Sequence, residues 1–228
     1  MLAYFVISGT LELMIKRTNP NFENEQKHDG DGNKAIAGVD EVGRGSLAGP
    51  IVAAAVVFKK YEKVVLDLAE VNDSKILSPV KRLELDELIK TKASDFSIGI
   101  VEASEIDRYG IGSANVMAFQ RALNGLKKCD FVLIDGRRFR GLDYQYMCLE
   151  KGESKSISIA AASIIAKVYR DALMQEIHDE VFRYDFASNK GYGSKSHMQA
   201  LEKFGPSKYH RKSFLKKLNE QAGQSSLF

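Results

Sequence analysis

With only two cysteines, Cys129 and Cys148, in 228 residues, the chain carries neither a disulfide framework nor a thiolate metal site. Cys129 borders an apolar run, so both thiols are expected to stay reduced in a reducing, cytoplasmic compartment. Histidine is equally sparse: His28, His178, His197 and His210 lack the partner spacing of zinc ligands. No run of about 20 apolar residues occurs, which excludes a membrane-spanning helix. The apolar start Leu2-Ala3-Tyr4-Phe5-Val6-Ile7 has no basic leader or small-residue cleavage site, and Glu12 interrupts it, which argues against a secretory signal. There is no internal repeat. The formal net charge of +3 is too mild to argue for a nucleic-acid partner by itself.

What is present is a soluble, globular balance, 44% hydrophobic and 28% charged, in a chain long enough for one α/β domain and a smaller appendage. The most informative stretch is Gly38-Val39-Asp40-Glu41-Val42-Gly43-Arg44-Gly45, followed by Leu47-Ala48-Gly49-Pro50. An apolar run delivers two adjacent carboxylates, the oxygen ligands that hard divalent cations prefer. Glycines beside them let backbone approach a ligand, and Arg44 between them can meet a phosphate or sugar.

Two further acids are candidates to join them. Phe131-Val132-Leu133-Ile134-Asp135-Gly136 reads as a buried strand whose last residue emerges at the carboxyl edge of a sheet, where open α/β sheets bind ligands, although an Asp-Gly turn reads the same way. Asp171 lies near the middle of a long helical pattern opened by Ser156 and Ser158, whose alanine-rich start allows close packing. Lys167 stands one turn before Asp171, the spacing of an ordinary ion pair.

Together with Asp73-Ser74-Lys75 and Lys190-Gly191-Tyr192-Gly193, these segments occur in an order that resembles bacterial ribonuclease HII, from about Ile36 to Phe214. The resemblance implies a ribonuclease-H-like fold and cutting of the RNA strand of RNA–DNA hybrids, including single ribonucleotides embedded in DNA. It implies two divalent cations, Mn²⁺ or Mg²⁺, held by Asp40, Glu41, Asp135 and Asp171. Asp40 would be the shared ligand, with Asp135 and Asp171 each completing one site. Glu41 fits least, since strand alternation sends it to the face opposite Asp40. Gly43, Arg44 and Gly45 would sense the ribose 2′-hydroxyl, Tyr192 would pack on the following deoxyribose, and Lys75 would meet a phosphate. Ser46 and Ser194 stand where the family usually has proline and threonine.

The order of elements predicts a mixed sheet with helices on both faces and a small C-terminal helical extension. The spans divide into an N-terminal arm (1–33), a catalytic domain (34–187), a basic extension (188–220) and a tail (221–228). Ala35–Glu41 and Pro50–Phe58 read as a hairpin, Asp95–Val101 as a third strand and Phe131–Ile134 as a fourth, with a fifth within Tyr144–Ser156. Helices are expected over Pro79–Lys92, Gly112–Lys128, Ser158–Val181, His197–Phe204 and Phe214–Glu220. The polar stretch Lys16–Asn33 reads as a flexible tether, and Met14 is a second candidate start. Lys190, Lys195, Lys203, Lys208, Arg211, Lys212, Lys216 and Lys217 form a basic cluster suited to a phosphate backbone. The ending Gln224-Ser225-Ser226-Leu227-Phe228 resembles the short motif that docks on the polymerase sliding clamp. A monomer is expected, because no apolar face is left over. Two other functions compete: a DNA nuclease of the same fold, and a non-catalytic nucleic-acid-binding module.

Overall fold

The computed structural model describes residues 19–137 and 139–221. Helix α1 (Glu23–Asp29) precedes strands β1 (Ile36–Val42) and β2 (Ile51–Val57); the short α2 (Tyr61–Val64) and α3 (Pro79–Lys92) lead to β3 (Asp95–Val101) and α4 (Ala103–Asn124). Strands β4 (Phe131–Asp135) and β5 (Tyr146–Leu149) then run into a single 3₁₀ turn, Gly152–Ser154, and the long helix α5 (Ile157–Glu180). The chain closes with α6 (Phe186–Asn189), α7 (Lys195–Phe204) and α8 (Lys212–Gln221).

One five-stranded sheet has the order β3-β2-β1-β4-β5. The expected hairpin β1–β2 is antiparallel, as is β2–β3, while β4 runs parallel to both β1 and β5. Helix α5 covers one face and α4 the other. Val52, Ala54 and Val56 pack with the α5 side, whereas Ile51, Ala53, Ala55 and Val57 pack with the α4 side, the period of two expected of a strand buried on both faces. Each helix lies almost on the backbone. A Cβ on Gly38 would sit 2.2 Å from the carbonyl carbon of Ser158, and one on Gly99 would sit 2.1 Å from the Ala118 carbonyl oxygen. Only glycine permits such approach.

Helix α4 starts nine residues earlier than the spacing suggested, at a capping box between Glu102 and Glu105, and continues through a break at Gly110 (φ 77°, ψ 156°). The expected tether is also corrected over its described part, residues 19–33. Phe22 is buried with its ring 5.4 Å from Phe58 and 4.9 Å from Tyr61, and Glu25 is buried where it accepts hydrogen bonds from the Ser156 hydroxyl (2.6 Å) and the Ser158 amide (3.0 Å). The arm thus caps the start of α5, a role suited to a carboxylate because a helix N-terminus leaves amides unpaired. Polar composition gave no warning, since one aromatic and one buried acid suffice to anchor it.

The C-terminal extension shares a core with the rest. Leu201 and Leu215 pack with Leu47, Ala48, Met174, Tyr184 and Phe186. Asp107 of α4 accepts from the amides of Lys212 and Ser213, both at 2.9 Å, and so caps α8.

Candidate active site

Strands β1 and β4 end side by side. Their last paired residues are Val39 and Ile134, so Asp40 and Asp135 follow as neighbours. Both point to the α5 face, Asp40 two residues beyond Gly38 and Asp135 two beyond Leu133, which packs on Ile159. The next strand, β5, leads into Lys151-Gly152-Glu153 at the same edge. The Gly152 amide donates to Asp135 Oδ1 at 2.6 Å, and the Glu41 amide donates to Asp40 Oδ1 at 2.8 Å.

Electrostatics show that these acids form one group. Asp40, 9% exposed, has its carboxyl pushed well above the usual range by burial, then by the charges of Glu41, Asp135 and Glu153. Glu153 is pushed up to about 7 by burial and by Asp135. Glu41 is raised by burial against the pull of Arg44 (3.7 Å), with Asp135 adding repulsion. As alternation requires, Glu41 lies toward α4, where Asn115 favours its charged form, and the charge of Asp135 still reaches it one residue before β1 ends. Lys75 reaches within 3.7 Å of Glu153, and the charges of Asp73, Glu153, Asp40 and Asp135 outweigh its burial and hold the amine protonated.

Asp171 is not brought to this cluster. Its carboxylate is taken by Lys167 at 2.8 Å, one turn back on α5, in a groove with Pro79, Arg82, Leu83 and Lys190. Glu153 stands with the other acids instead. Its only signal in the sequence was position: Gly152-Glu153 falls within the Tyr144–Ser156 span expected to hold the fifth strand, just ahead of the serine that opens the long helix.

Beside the acids, residues 43–50 wrap around two buried guanidiniums. Arg170 donates from Nε to the Pro50 carbonyl (2.9 Å), and from its terminal nitrogens to the carbonyls of Lys190 (3.0 Å) and Ala48 (3.2 Å) and to Ser46 Oγ (2.9 Å). Arg211 donates to the carbonyls of Gly49 (3.0 Å from Nε), Arg44 (3.0 Å) and Gly43 (2.7 Å). A carbonyl-lined fork suits guanidinium because its donors are fixed in a plane. Gly43 (φ 89°) has no room for a side chain, since a Cβ would lie 2.1 Å from Arg170 Nε. With so many carbonyls turned inward, the amides of Arg44 and Gly45 make no hydrogen bond among the described residues. Arg211 is fully buried, so it leaves the surface basic cluster in which the sequence placed it.

A sequence model of ribonuclease HII matches residues 37–217. The chain belongs to the ribonuclease HII family. Its members are endoribonuclease hydrolases. Ribonuclease HII of Clostridioides difficile is 51% identical over 199 residues, covering 86% of this chain and 75% of that protein. The enzyme of Caldanaerobacter subterraneus subsp. tengcongensis is 44% identical over 209 residues, covering 91% and 85%. Among solved structures, ribonuclease H2 of Pyrococcus horikoshii superposes with a TM-score of 0.67 at 27% identity, covering 82% of this chain and 98% of that one. Two more share the fold: ribonuclease HII of Archaeoglobus fulgidus in complex with PCNA (TM-score 0.67, 23% identity, 78% and 94% covered) and Bst-RNase HIII in complex with Mn²⁺ (0.63, 20%, 85% and 71%).

In this chain the carboxylate group supplies only oxygen donors, and Glu153 Oε2 is buried without a hydrogen-bond partner. That donor chemistry fits a hard divalent cation. As they stand, no three His, Cys, Asp or Glu side chains among the described residues are arranged to hold a metal ion. The sign of the pH dependence follows. Glu153 moves from 4.5 to about 7 on folding, so the folded state holds more protons across that interval. Its contribution is intact at low pH and lost as pH rises through about 7. The melting temperature of metal-free wild type should therefore fall relative to Glu153→Gln between pH 5 and pH 8, by several degrees. Mg²⁺ or Mn²⁺ should restore it at pH 8. Parallel melting curves across that range, or curves indifferent to both ions, would refute the carboxylate cluster as a cation site.

Tyr192 is 41% exposed, with its ring 5.6 Å over the Arg170 guanidinium, so the turn carrying it lies against the 43–50 loop. The Gly191 carbonyl accepts from the Leu47 amide at 2.8 Å and from the Ala48 amide at 3.2 Å. The tail Gln224–Phe228 lies outside the described residues.

Proposed function

We propose that the chain hydrolyses the RNA strand of RNA–DNA hybrids and nicks duplex DNA 5′ to single embedded ribonucleotides, leaving a 5′-phosphate. The observation that carries this reading is the convergence of Asp40, Glu41, Asp135 and Glu153, with Gly43-Arg44-Gly45 following directly on the strand that carries two of them. These four acids would hold two Mn²⁺ or Mg²⁺ ions. The ions would neutralise charge on the reacting phosphodiester and supply a water-derived nucleophile. This replaces Asp171 with Glu153 in the ligand set.

The residues of the chain do the rest. Burial keeps bulk water from the base of the cluster at Asp40, and the Gly152 amide fixes the orientation of Asp135. Lys75, cationic and at the rim, would meet a substrate phosphate. The amides of Arg44 and Gly45 would donate to the 2′-hydroxyl oxygen, the atom that separates RNA from DNA. Tyr192 would pack its ring on the sugar of the next nucleotide. The exposed lysines of the extension would follow the duplex backbone and make binding salt-sensitive.

The C-terminal Gln224–Phe228 would dock on a sliding clamp through its Leu-Phe end, and a structural relative captured with PCNA supports that reading. Both cysteines are free, in keeping with a reducing cytoplasm, and we assign a monomer. No helix among the described residues is long and apolar enough to cross a membrane.

The test uses a labelled duplex carrying one ribonucleotide, with wild type and Asp135→Asn, in Mg²⁺ or Mn²⁺. Cutting 5′ to the ribonucleotide by wild type alone is the expected outcome. Cutting of an all-DNA duplex would move the reading to a DNA nuclease, and binding without cutting would reduce the chain to a binding module.

A further inference from the structure

His197 and His210 are both buried, with Nε2 of one 2.9 Å from Nε2 of the other. Neither is used by the reaction described above, yet their partners determine where every proton sits. The Ser207 amide lies 2.9 Å from His210 Nδ1, and an amide can only donate, so that nitrogen is bare. A neutral His210 must then carry its proton on Nε2 and donate it to His197 Nε2. His197 in turn carries its proton on Nδ1 and donates it to the Tyr192 carbonyl at 2.8 Å. The surroundings favour neutral rings: Tyr184 and Phe186 pack against both imidazoles. Three hydrogen bonds therefore run in one direction, from Ser207 through His210 and His197 to the backbone of Tyr192.

The ends of this chain are what matter. His210 pairs with Ala48 as an isolated bridge, and its neighbours Tyr209 and Arg211 hold Gly49, Gly43 and Arg44. At the other end, Tyr192 is the aromatic of the turn that lies on the same loop. We propose that the His210–His197 pair, locked in opposite tautomers, is a positioning device that sets the Tyr192 ring against the 43–50 loop. The pair thereby tunes recognition of the step between a ribonucleotide and the nucleotide after it. This rests on the roles assigned above to Tyr192 and to the loop.

Two measurements on the full chain test it. In ¹⁵N-histidine NMR at pH 7, one imidazole should be protonated at Nδ1 and its partner at Nε2, in slow exchange; two rings in the same tautomer would overturn the wire. In cleavage of a duplex with one ribonucleotide, His197→Phe should raise KM about tenfold while kcat changes less than about threefold, the cost of one lost buried hydrogen bond. His197→Asn, whose amide can still donate to the Tyr192 carbonyl, should recover most of that loss even if His197→Phe folds poorly. In a Tyr192→Ala background, His197→Phe should add nothing. An additive loss there, or His197→Asn as impaired as His197→Phe, would overturn the coupling alone. An unchanged KM for Tyr192→Ala would overturn the role of Tyr192 and the coupling with it.

Discussion

Glu153→Gln is expected to lower the rate of ribonucleotide cleavage by at least about 10³-fold, while Asp171→Asn stays within about threefold of wild type. The first figure reflects the several kcal/mol of charge stabilisation that a held divalent cation contributes, at 1.4 kcal/mol per factor of ten. The contrast comes from placement. Glu153 shares its field with Asp135 and Asp40, whereas Asp171 has given its carboxylate to Lys167. Glu153→Gln should also melt higher than wild type without divalent ions above pH 7, because it removes one of several crowded negative charges. Activity falling while stability rises is the signature of a residue kept for chemistry. Initial rates on the single-ribonucleotide duplex, with melting curves of the same preparations, decide it. Full activity in Glu153→Gln with loss in Asp171→Asn would restore the ligand set read from the sequence.

The second large effect is on stability. Arg211→Met should destabilise the fold by about 3–5 kcal/mol, a fall in melting temperature on the order of 10 °C for a chain of this size. Its guanidinium donates to the carbonyls of Gly43, Arg44 and Gly49; methionine would leave those of Arg44 and Gly49 unpaired, and Gly43 only its bonds from Ser46. Burial, then the neighbouring Arg170, holds its pKa down to about 9, so the cation sits here at a cost that those carbonyls must offset. Arg211→Lys should recover little, since one ammonium cannot span three carbonyls from a fixed plane. Differential scanning calorimetry of the three proteins would show it. A melting temperature within 2 °C of wild type, by that same scaling, would mean that the loop holds itself.

Much of the fold was legible because its signals are local. β3 spans Asp95–Val101 as read, α3 spans Pro79–Lys92 with the Ser78 hydroxyl accepting from the Lys81 amide at 3.2 Å, and α5 opens at Ser156. Each depends on a period or a cap within a few residues. What escaped depends on partners far away in sequence. Phe22 and Glu25 read as polar tether until Phe58, Ser156 and Ser158 surround them. Arg211 read as surface charge until it met Gly43, 168 residues earlier. Ser46, a departure from the family pattern, proves to be held on both sides, donating to the Gly43 carbonyl at 2.8 Å while accepting from Arg170.

The sequence by itself determined the chemistry: adjacent acids on a strand end, an acid closing a second strand, glycines at the turn between, and an aromatic flanked by glycines. It determined the family through the order of those motifs. Only the tertiary structure decided which acids meet. A carboxylate's sequence neighbours show what can pair with it locally, as Lys167 does with Asp171. Whether it joins a site depends on which strands lie side by side at their carboxyl ends, and the order β1-β4-β5 brings Glu153, not Asp171, to Asp40 and Asp135.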